Sequence, residues 1–472
     1  MESEGWRPCE TAGCARAWQG GLAEAPAEGE HTRLPNAERR AVRRMNRRLH
    51  PILRRPVRLA AAMLSLASLA ACASPPRSTP AAGSAGAQGG RPYVVMVSFD
   101  GFRHDYAERW NLPALTRLAR DGVRAEGLVP TFPSKTFPNH YTLVTGIHAG
   151  RHGIVGNEMW DPAWRTRFRT ADPAITGQAR WYGGEPVWVT AERQGVKAAS
   201  LMWPGSNAPI GGVRPSLWTE YDESMPDSAR VDQLLRWLAL PPAERPHLLL
   251  GYFSATDDAG HDHGPDAPET RAAAELLDRM LARLRDGIAR LPFADSVTVI
   301  AVSDHGMTRI ATAEFLEDYA PLADTTAVVT AATYAQLFFG GDAEKTDRAW
   351  RALQRLPHAH AWKRAEIPAR FRLAGVPRAG DVFVLMDPPY TIERSRRGRA
   401  AGWHPTGGSH GYDNALPDMR GIFVAAGPRI VPGSRLGAID NVNVYPFVAE
   451  LLGLRPAPFL DGSLAATRTV LR

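Results

Sequence analysis

The amino-acid sequence predicts an α/β fold, with a largely parallel central sheet and helices on both faces. Three observations carry this expectation. Apolar runs of strand length alternate with helical patterns through the body of the chain. The three strongest runs lead into candidate ligands: Tyr93–Phe99 into Asp100, His247–Phe253 into Asp257 and His261, and Ser296–Val302 into Asp304 and His305. No internal repeat is present.

Taken in chain order, the first element is an address. Residues 1–44 are polar, rich in Ala, Glu and Arg, and without periodicity. They are expected to be disordered, or to precede a true start at Met45. Residues 45–71 pair a charged stretch, Arg47–Arg58, with a short apolar run, Leu59–Ala71, the form of an export signal rather than a membrane span. The run ends Leu69-Ala70-Ala71-Cys72, which resembles a bacterial lipoprotein cleavage box. That resemblance implies lipidation at Cys72 and a membrane anchor. With Ala73 following, it also implies residence on the periplasmic side, at the outer membrane of a Gram-negative bacterium. Residues 72–90 are rich in Ala, Ser, Gly and Pro and read as a flexible tether. Residues 91–472 are then expected to form one catalytic domain.

The remaining composition narrows the chemistry. The 44% hydrophobic and 22% charged content is that of a globular protein. Of the formal charge of +7, residues 1–71 supply +5 through twelve Arg and seven Glu. The body is thus nearly balanced, which argues against binding a nucleic-acid duplex. The cysteines are Cys9, Cys14 and Cys72, so the body has neither a disulfide framework nor a thiolate metal site. Any metal there must be held by histidine and carboxylate.

Such groups follow the strands. Asp100 comes directly after Tyr93–Phe99, Asp257 and His261 after His247–Phe253, and Asp304 and His305 after Ser296–Val302. In open α/β sheets, ligands bind beyond the carboxyl ends of the strands, where separate loops converge. Asp257 and His261, four apart, would share one face of a helical turn. His410 lies in the glycine-rich segment GWHPTGGSHGYDN, able to bring an imidazole to the same place. A sulfur-free His/carboxylate set suits catalytic zinc, and its size exceeds one tetrahedral site. Two zinc ions roughly 4 Å apart would use it. Between the second and third strands, Glu269–Leu291 has Leu276, Leu277, Met280, Leu281, Leu284, Ile288 and Leu291 at helical spacing, a helix packing on the sheet.

The segment TFPSKTFPNHYTLVTG supplies a nucleophile candidate. Pro138 suits the first turn of a helix, which would set Thr136 at its amino terminus, beside free N–H groups that favour an anion. Metal binding would activate its hydroxyl. The local alternative is that Thr136 merely caps the helix.

Together these segments resemble the nucleotide pyrophosphatase/phosphodiesterase family of the alkaline phosphatase superfamily. The motifs run in order from SFDGF through KTFPNHYTLVTG, HGIVGN, WPGS, DxxGHxxGP, SDHGM and GSHGYDN to NVNVYPFVAELLG, covering Arg91 to Leu464. The resemblance implies an alkaline-phosphatase-like fold and hydrolysis of nucleotide phosphodiester or pyrophosphate bonds. It implies one zinc on Asp257, His261 and His410, and another on Asp100, Asp304 and His305, with Thr136 joining the second as nucleophile. It gives Asn157 a phosphate oxygen to bind, and Phe137 and Tyr221 the faces of a nucleobase. The sequence departs from the family in having Thr256, where Pro often precedes the metal aspartate. Its Arg-rich stretch after Asp381, DVFVLMDPPYTIERSRRG, reads as a solvated hairpin tip or a contact for an acidic substrate. A monoesterase or phosphonate hydrolase of the same superfamily is the nearest alternative. A metal-free serine hydrolase built on Gly407-Gly408-Ser409-His410-Gly411 is a more distant one, and a non-catalytic binding lipoprotein another.

Overall fold

A computed structural model describes residues 91–472 apart from 398, 400 and 401. Residues 1–44, the export segment 45–71, Cys72 and the tether lie outside the described residues. Among the described residues, no helix is long and apolar enough to cross a membrane.

Twelve strands form the two principal sheets. They are β1 (Tyr93–Phe99), β2 (Val123–Ala125), β3 (Ala198–Leu201), β4 (Leu217–Thr219), β5 (Leu248–Phe253), β6 (Val297–Val302), β7 (Ala327–Thr330), β8 (Tyr334–Phe338), β9 (Ala359–Lys363), β10 (Val382–Met386), β11 (Phe423–Ala426) and β12 (Ser434–Leu436). The central sheet has eight, in the order β12-β2-β11-β6-β1-β5-β3-β4. From β6 to β4 every neighbour is parallel, and β11 enters antiparallel between β6 and β2. The strands β1, β5 and β6 are buried along their whole length, because both faces of the sheet are covered.

The main helices are α1 (Pro113–Asp121), α2 (Thr136–Thr145), α3 (Val187–Arg193), α4 (Asp227–Leu238), α5 (Ala255–His263), α6 (Pro268–Ala289), α7 (Ala343–Leu353) and α8 (Val444–Leu452). Strand side chains alternate between faces. Val95, Val97 and Phe99 of β1 therefore join a core with Leu118 of α1, Leu234 of α4 and Leu277, Leu281 and Leu284 of α6. Val94 and Met96 pack instead with Val144 of α2, Trp188 of α3 and Val448 of α8. The expected helix is α6, which ends at Ala289, so Leu291 lies just beyond it; Leu276 and Met280 lie at the half-buried margin of its apolar stripe.

Register brings the chemistry together. Phe99 pairs with Phe253, and Ser98 with Val302, so three strands end at one level of the sheet. The chain leaves these ends as Asp100, the start of α5 and Asp304.

The second sheet, β7-β8-β10-β9, is antiparallel and was not anticipated from the sequence; it packs α7 on one face. The Arg-rich stretch is a correction. After β10 the chain pairs Tyr390–Glu393 in parallel with Thr312–Phe315, which is not a hairpin. Arg396 lies on Asp318 and over the Phe315 ring, and Arg399 on Glu393 and over Trp403. Acids and rings of its own surface hold these arginines.

Candidate metal centre

Thr136 is the first residue of α2, and its hydroxyl does not serve the helix as a cap. The capping position is Lys135, without a side-chain cap bond, and Thr136 Oγ1 lies 3.5 Å from His305 Nε2. Thr136 is half-buried, so its hydroxyl is available to a ligand beside the cluster below.

Asp257 and His261 fall on α5, as the four-residue spacing predicts, and His410 joins them from the glycine-rich segment. Their ligand atoms all lie within 4.8 Å of one another. The segment is held rather than loose: Gly408–Ser409 pairs with Thr308–Arg309. Gly407, at φ +85°, passes so close to α5 that a Cβ there would stand 1.9 Å from the His261 carbonyl oxygen.

Each candidate histidine is oriented by the backbone. Nδ1 of His261 meets the Gly408 carbonyl at 2.9 Å, Nδ1 of His410 meets that of Ser134 at 2.8 Å, and Nδ1 of His305 meets that of Gly306 at 2.9 Å. A carbonyl can only accept, so each Nδ1 carries a proton and each ring turns Nε2, the nitrogen open to a ligand, inward. His261 Nε2 and His410 Nε2 face one another 3.0 Å apart, and with both rings neutral their lone pairs repel. A cation between them resolves that repulsion.

The carboxylates repeat the pattern. Tyr252 donates to Asp100 Oδ2 at 2.6 Å, and the Gly101 N–H to Asp304 Oδ1 at 3.3 Å. The oxygens left over, Asp100 Oδ1 and Asp304 Oδ2, are buried without a hydrogen-bond partner, as is Asp257 Oδ1. A buried unpaired carboxylate oxygen is costly, and three converging on one place match what hard cations require. His305 Nε2 is 3.4 Å from Asp100 Oδ1 and 3.0 Å from Asp304 Oδ2.

The electrostatics show the same strain. Burial, then repulsion from Asp304 and Asp257, pushes the Asp100 carboxyl well above its ordinary range. Burial also works to raise Asp304, but His305 and His140 outweigh it and hold that carboxyl below the usual range. For His410, burial and the neighbouring His305, Lys135 and His261 disfavour the cationic ring and drive its pKa well down, leaving it neutral as a ligand must be. Bound cations would remove the carboxylate repulsion.

Two nearby residues escaped the sequence reading. His140 lies four residues after Thr136 on α2, and that spacing could have flagged it. Its Nδ1 is 3.3 Å from Asp304 Oδ2, and the ligand atoms of His140, Asp100 and Asp304 group within 4.8 Å. Both of its nitrogens are engaged, however, with the Thr136 carbonyl at 3.0 Å and the Ser98 hydroxyl at 2.8 Å. It therefore borders the centre as a hydrogen-bonding neighbour. Tyr252 sits inside an apolar strand, where nothing local marks it.

Asn157 stands beside Thr136, its Oδ1 accepting the Phe137 N–H at 2.9 Å. That bond fixes the amide and leaves Nδ2 free to donate. Phe137 is half-buried, edge-on to Phe168. Tyr221 is 53% exposed and rests edge-on against Tyr252. Among the described residues no ring contact joins Phe137 and Tyr221. Ser409, the serine-hydrolase candidate, is buried, and its hydroxyl is directed at the His410 carbonyl rather than at an imidazole.

Comparison with known proteins bears on the family and the fold. The pattern described as "Type I phosphodiesterase / nucleotide pyrophosphatase" matches residues 94–413. A venom phosphodiesterase of Macrovipera lebetinus is 32% identical over 375 residues, 77% of this chain and 44% of that protein. Ectonucleotide pyrophosphatase/phosphodiesterase family member 3 of Bos taurus is 33% identical over 383 residues, 78% of this chain and 43% of its own. The chain thus spans less than half the length of these relatives. Among solved structures, murine ectonucleotide pyrophosphatase/phosphodiesterase 5 superposes with a TM-score of 0.74 at 29% identity. The match covers 81% of this chain and 100% of that one, an inactive Thr-to-Ala variant in complex with AMP. The human counterpart gives 0.73 at 29% identity, over 80% and 100% of the two chains. The alkaline-phosphatase-like fold expected from the motifs is therefore the fold observed.

Proposed function

This chain belongs to the type I phosphodiesterase/nucleotide pyrophosphatase family, and from that premise we propose that it hydrolyses phosphodiester or pyrophosphate bonds of nucleotides through a covalent Thr136 intermediate at two zinc ions. The observation carrying the proposal is the convergence of inward-facing imidazole nitrogens and unpaired carboxylate oxygens beside the Thr136 hydroxyl. Asp257, His261 and His410 would hold one ion, and Asp100, Asp304 and His305 the other. Bound there, zinc supplies Lewis-acid charge that activates a hydroxyl and neutralises charge building on phosphorus.

The chain's own groups account for the remaining steps. Thr136 Oγ1 attacks phosphorus, forming an Oγ1–P bond as the bond to the departing alcohol or phosphate breaks. Water then cleaves the Oγ1–P bond, restores the Thr136 hydroxyl and releases a nucleoside monophosphate. Asn157 Nδ2 donates to a non-bridging oxygen, and the free N–H groups at the start of α2 favour the same anion. Phe137 and Tyr221 are assigned the base. Support for a nucleotide comes from the AMP bound to the murine relative, whose inactivity follows a Thr-to-Ala change.

The test is Thr136→Ala. It should retain zinc, measured by elemental analysis at two equivalents per chain. Turnover of bis(p-nitrophenyl) phosphate should fall by on the order of 10³-fold or more. Full activity in that variant would eliminate Thr136 as the nucleophile.

A further inference from the structure

We infer that Tyr252 is a positioning residue: its hydroxyl occupies one oxygen of Asp100, so that Asp100 meets its cation through Oδ1 alone. The inference rests on the two-metal reading above. Tyr252 lies opposite Ser98 in the β1–β5 register, and its phenol reaches along the sheet to Asp100 Oδ2 at 2.6 Å. Asp100 Oδ1 is left buried and unpaired, 3.4 Å from His305 Nε2.

A carboxylate free to rotate about its Cβ–Cγ bond presents either oxygen, or both, to a cation. Ligand groups are held in one orientation by hydrogen bonds from outside the metal's own ligands. For Asp304 that restraint comes from a backbone N–H, that of Gly101, on Oδ1. For Asp100 it comes from a side chain, and can be removed by deleting a single atom.

The phenol is itself fixed. Tyr252 is 8% exposed, and its ring is edge-on to His140 at 5.1 Å and to Tyr221 at 6.0 Å. Arg230 donates to its backbone carbonyl at 3.2 Å. The donor therefore waits in place before any ion arrives. The same ring supports Tyr221, so Tyr252 touches both the metal centre and the residue assigned to the base. Replacing only the hydroxyl separates these two duties.

The experiment compares full-length wild type, Tyr252→Phe and Asp100→Asn by titrating zinc in a chelator buffer, together with kcat and KM for a nucleotide diester at saturating zinc. In Tyr252→Phe, one zinc equivalent should weaken about 10- to 100-fold while the other is unchanged. At saturating zinc kcat should fall, while KM stays within about twofold because the ring beneath Tyr221 remains. Wild-type zinc affinity in Tyr252→Phe, with Asp100→Asn losing one equivalent, overturns the role of Tyr252 alone. So does a change confined to KM. If Asp100→Asn also keeps both equivalents, the two-metal reading fails, and this inference with it.

Discussion

Replacing Gly407 by alanine should disable the proposed metal centre without touching a candidate ligand. Gly407 has φ +85°, and an added Cβ would lie 1.9 Å from the His261 carbonyl oxygen and 2.9 Å from its carbonyl carbon. Both are backbone atoms of α5, so no side-chain rotation relieves the contact. Non-bonded carbon contacts are comfortable at about 3.5 Å, so the segments must separate by roughly 1 Å or more. His261 and His410 ride on opposite sides of that gap. Left-handed backbone costs alanine about 1–2 kcal/mol, and forced overpacking adds about 1–3 kcal/mol. A displacement of 1 Å at reacting groups costs about 10²-fold in rate, or ~2.7 kcal/mol of barrier. Gly433 provides the control. At φ +71° it has a similar backbone, and a Cβ there would meet nothing within 4 Å. Gly433→Ala should therefore lose about 1–2 kcal/mol of stability and retain kcat/KM. The assay is kcat/KM on bis(p-nitrophenyl) phosphate, with zinc content and denaturant unfolding for both variants. If Gly407→Ala keeps kcat/KM within threefold of Gly433→Ala, the close packing of the His410 segment on α5 does not set the ligand geometry.

Asn157→Ala should lower kcat/KM for diesters by about 10²- to 10³-fold at unchanged zinc content, since the proposal makes it a phosphate donor and no metal ligand; loss of zinc would assign Asn157 to the metals instead. Stability should also fall at mildly acidic pH through His152, a buried ring remote from the metals in sequence. It accepts the Ile154 N–H on Nδ1 at 3.2 Å and meets Thr142 Oγ1 through Nε2 at 2.9 Å, which satisfies the neutral form. Burial, followed by His148, lowers its pKa to about 3. The unfolded chain then takes the proton first: the contribution is complete above about 6.5 and is lost as pH falls towards 3. The slope is about 1.4 kcal/mol per pH unit. Between pH 6 and 4, unfolding free energy in urea should fall more steeply in wild type than in His152→Gln; parallel slopes would refute it.

Much of the centre is legible in the sequence because strand ends are. Asp100, Asp304 and His305 follow apolar runs whose type and length predict buried strands, and the parallel register then sets them at one level. The Asp257–His261 spacing places both on one helix face by local geometry alone. By contrast, the four-stranded sheet has one clear local signal, the apolar run Val382–Met386, and its antiparallel partners are set only by pairing distant in sequence. The Arg-rich stretch looks like a solvated hairpin until its partners, Asp318 and Glu393, are seen beside it.

What the sequence by itself determined is therefore the kind of fold and the candidate metal-binding groups: both depend on side-chain chemistry and on periods of two to four residues. What only the tertiary structure decided is how those groups are aimed. The Ser134 carbonyl that turns His410 inward lies 276 residues away along the chain, and the Tyr252 hydroxyl on Asp100 lies 152 away. A hydrogen bond acts over about 3 Å, so its partner is set by how strands and loops stack in space.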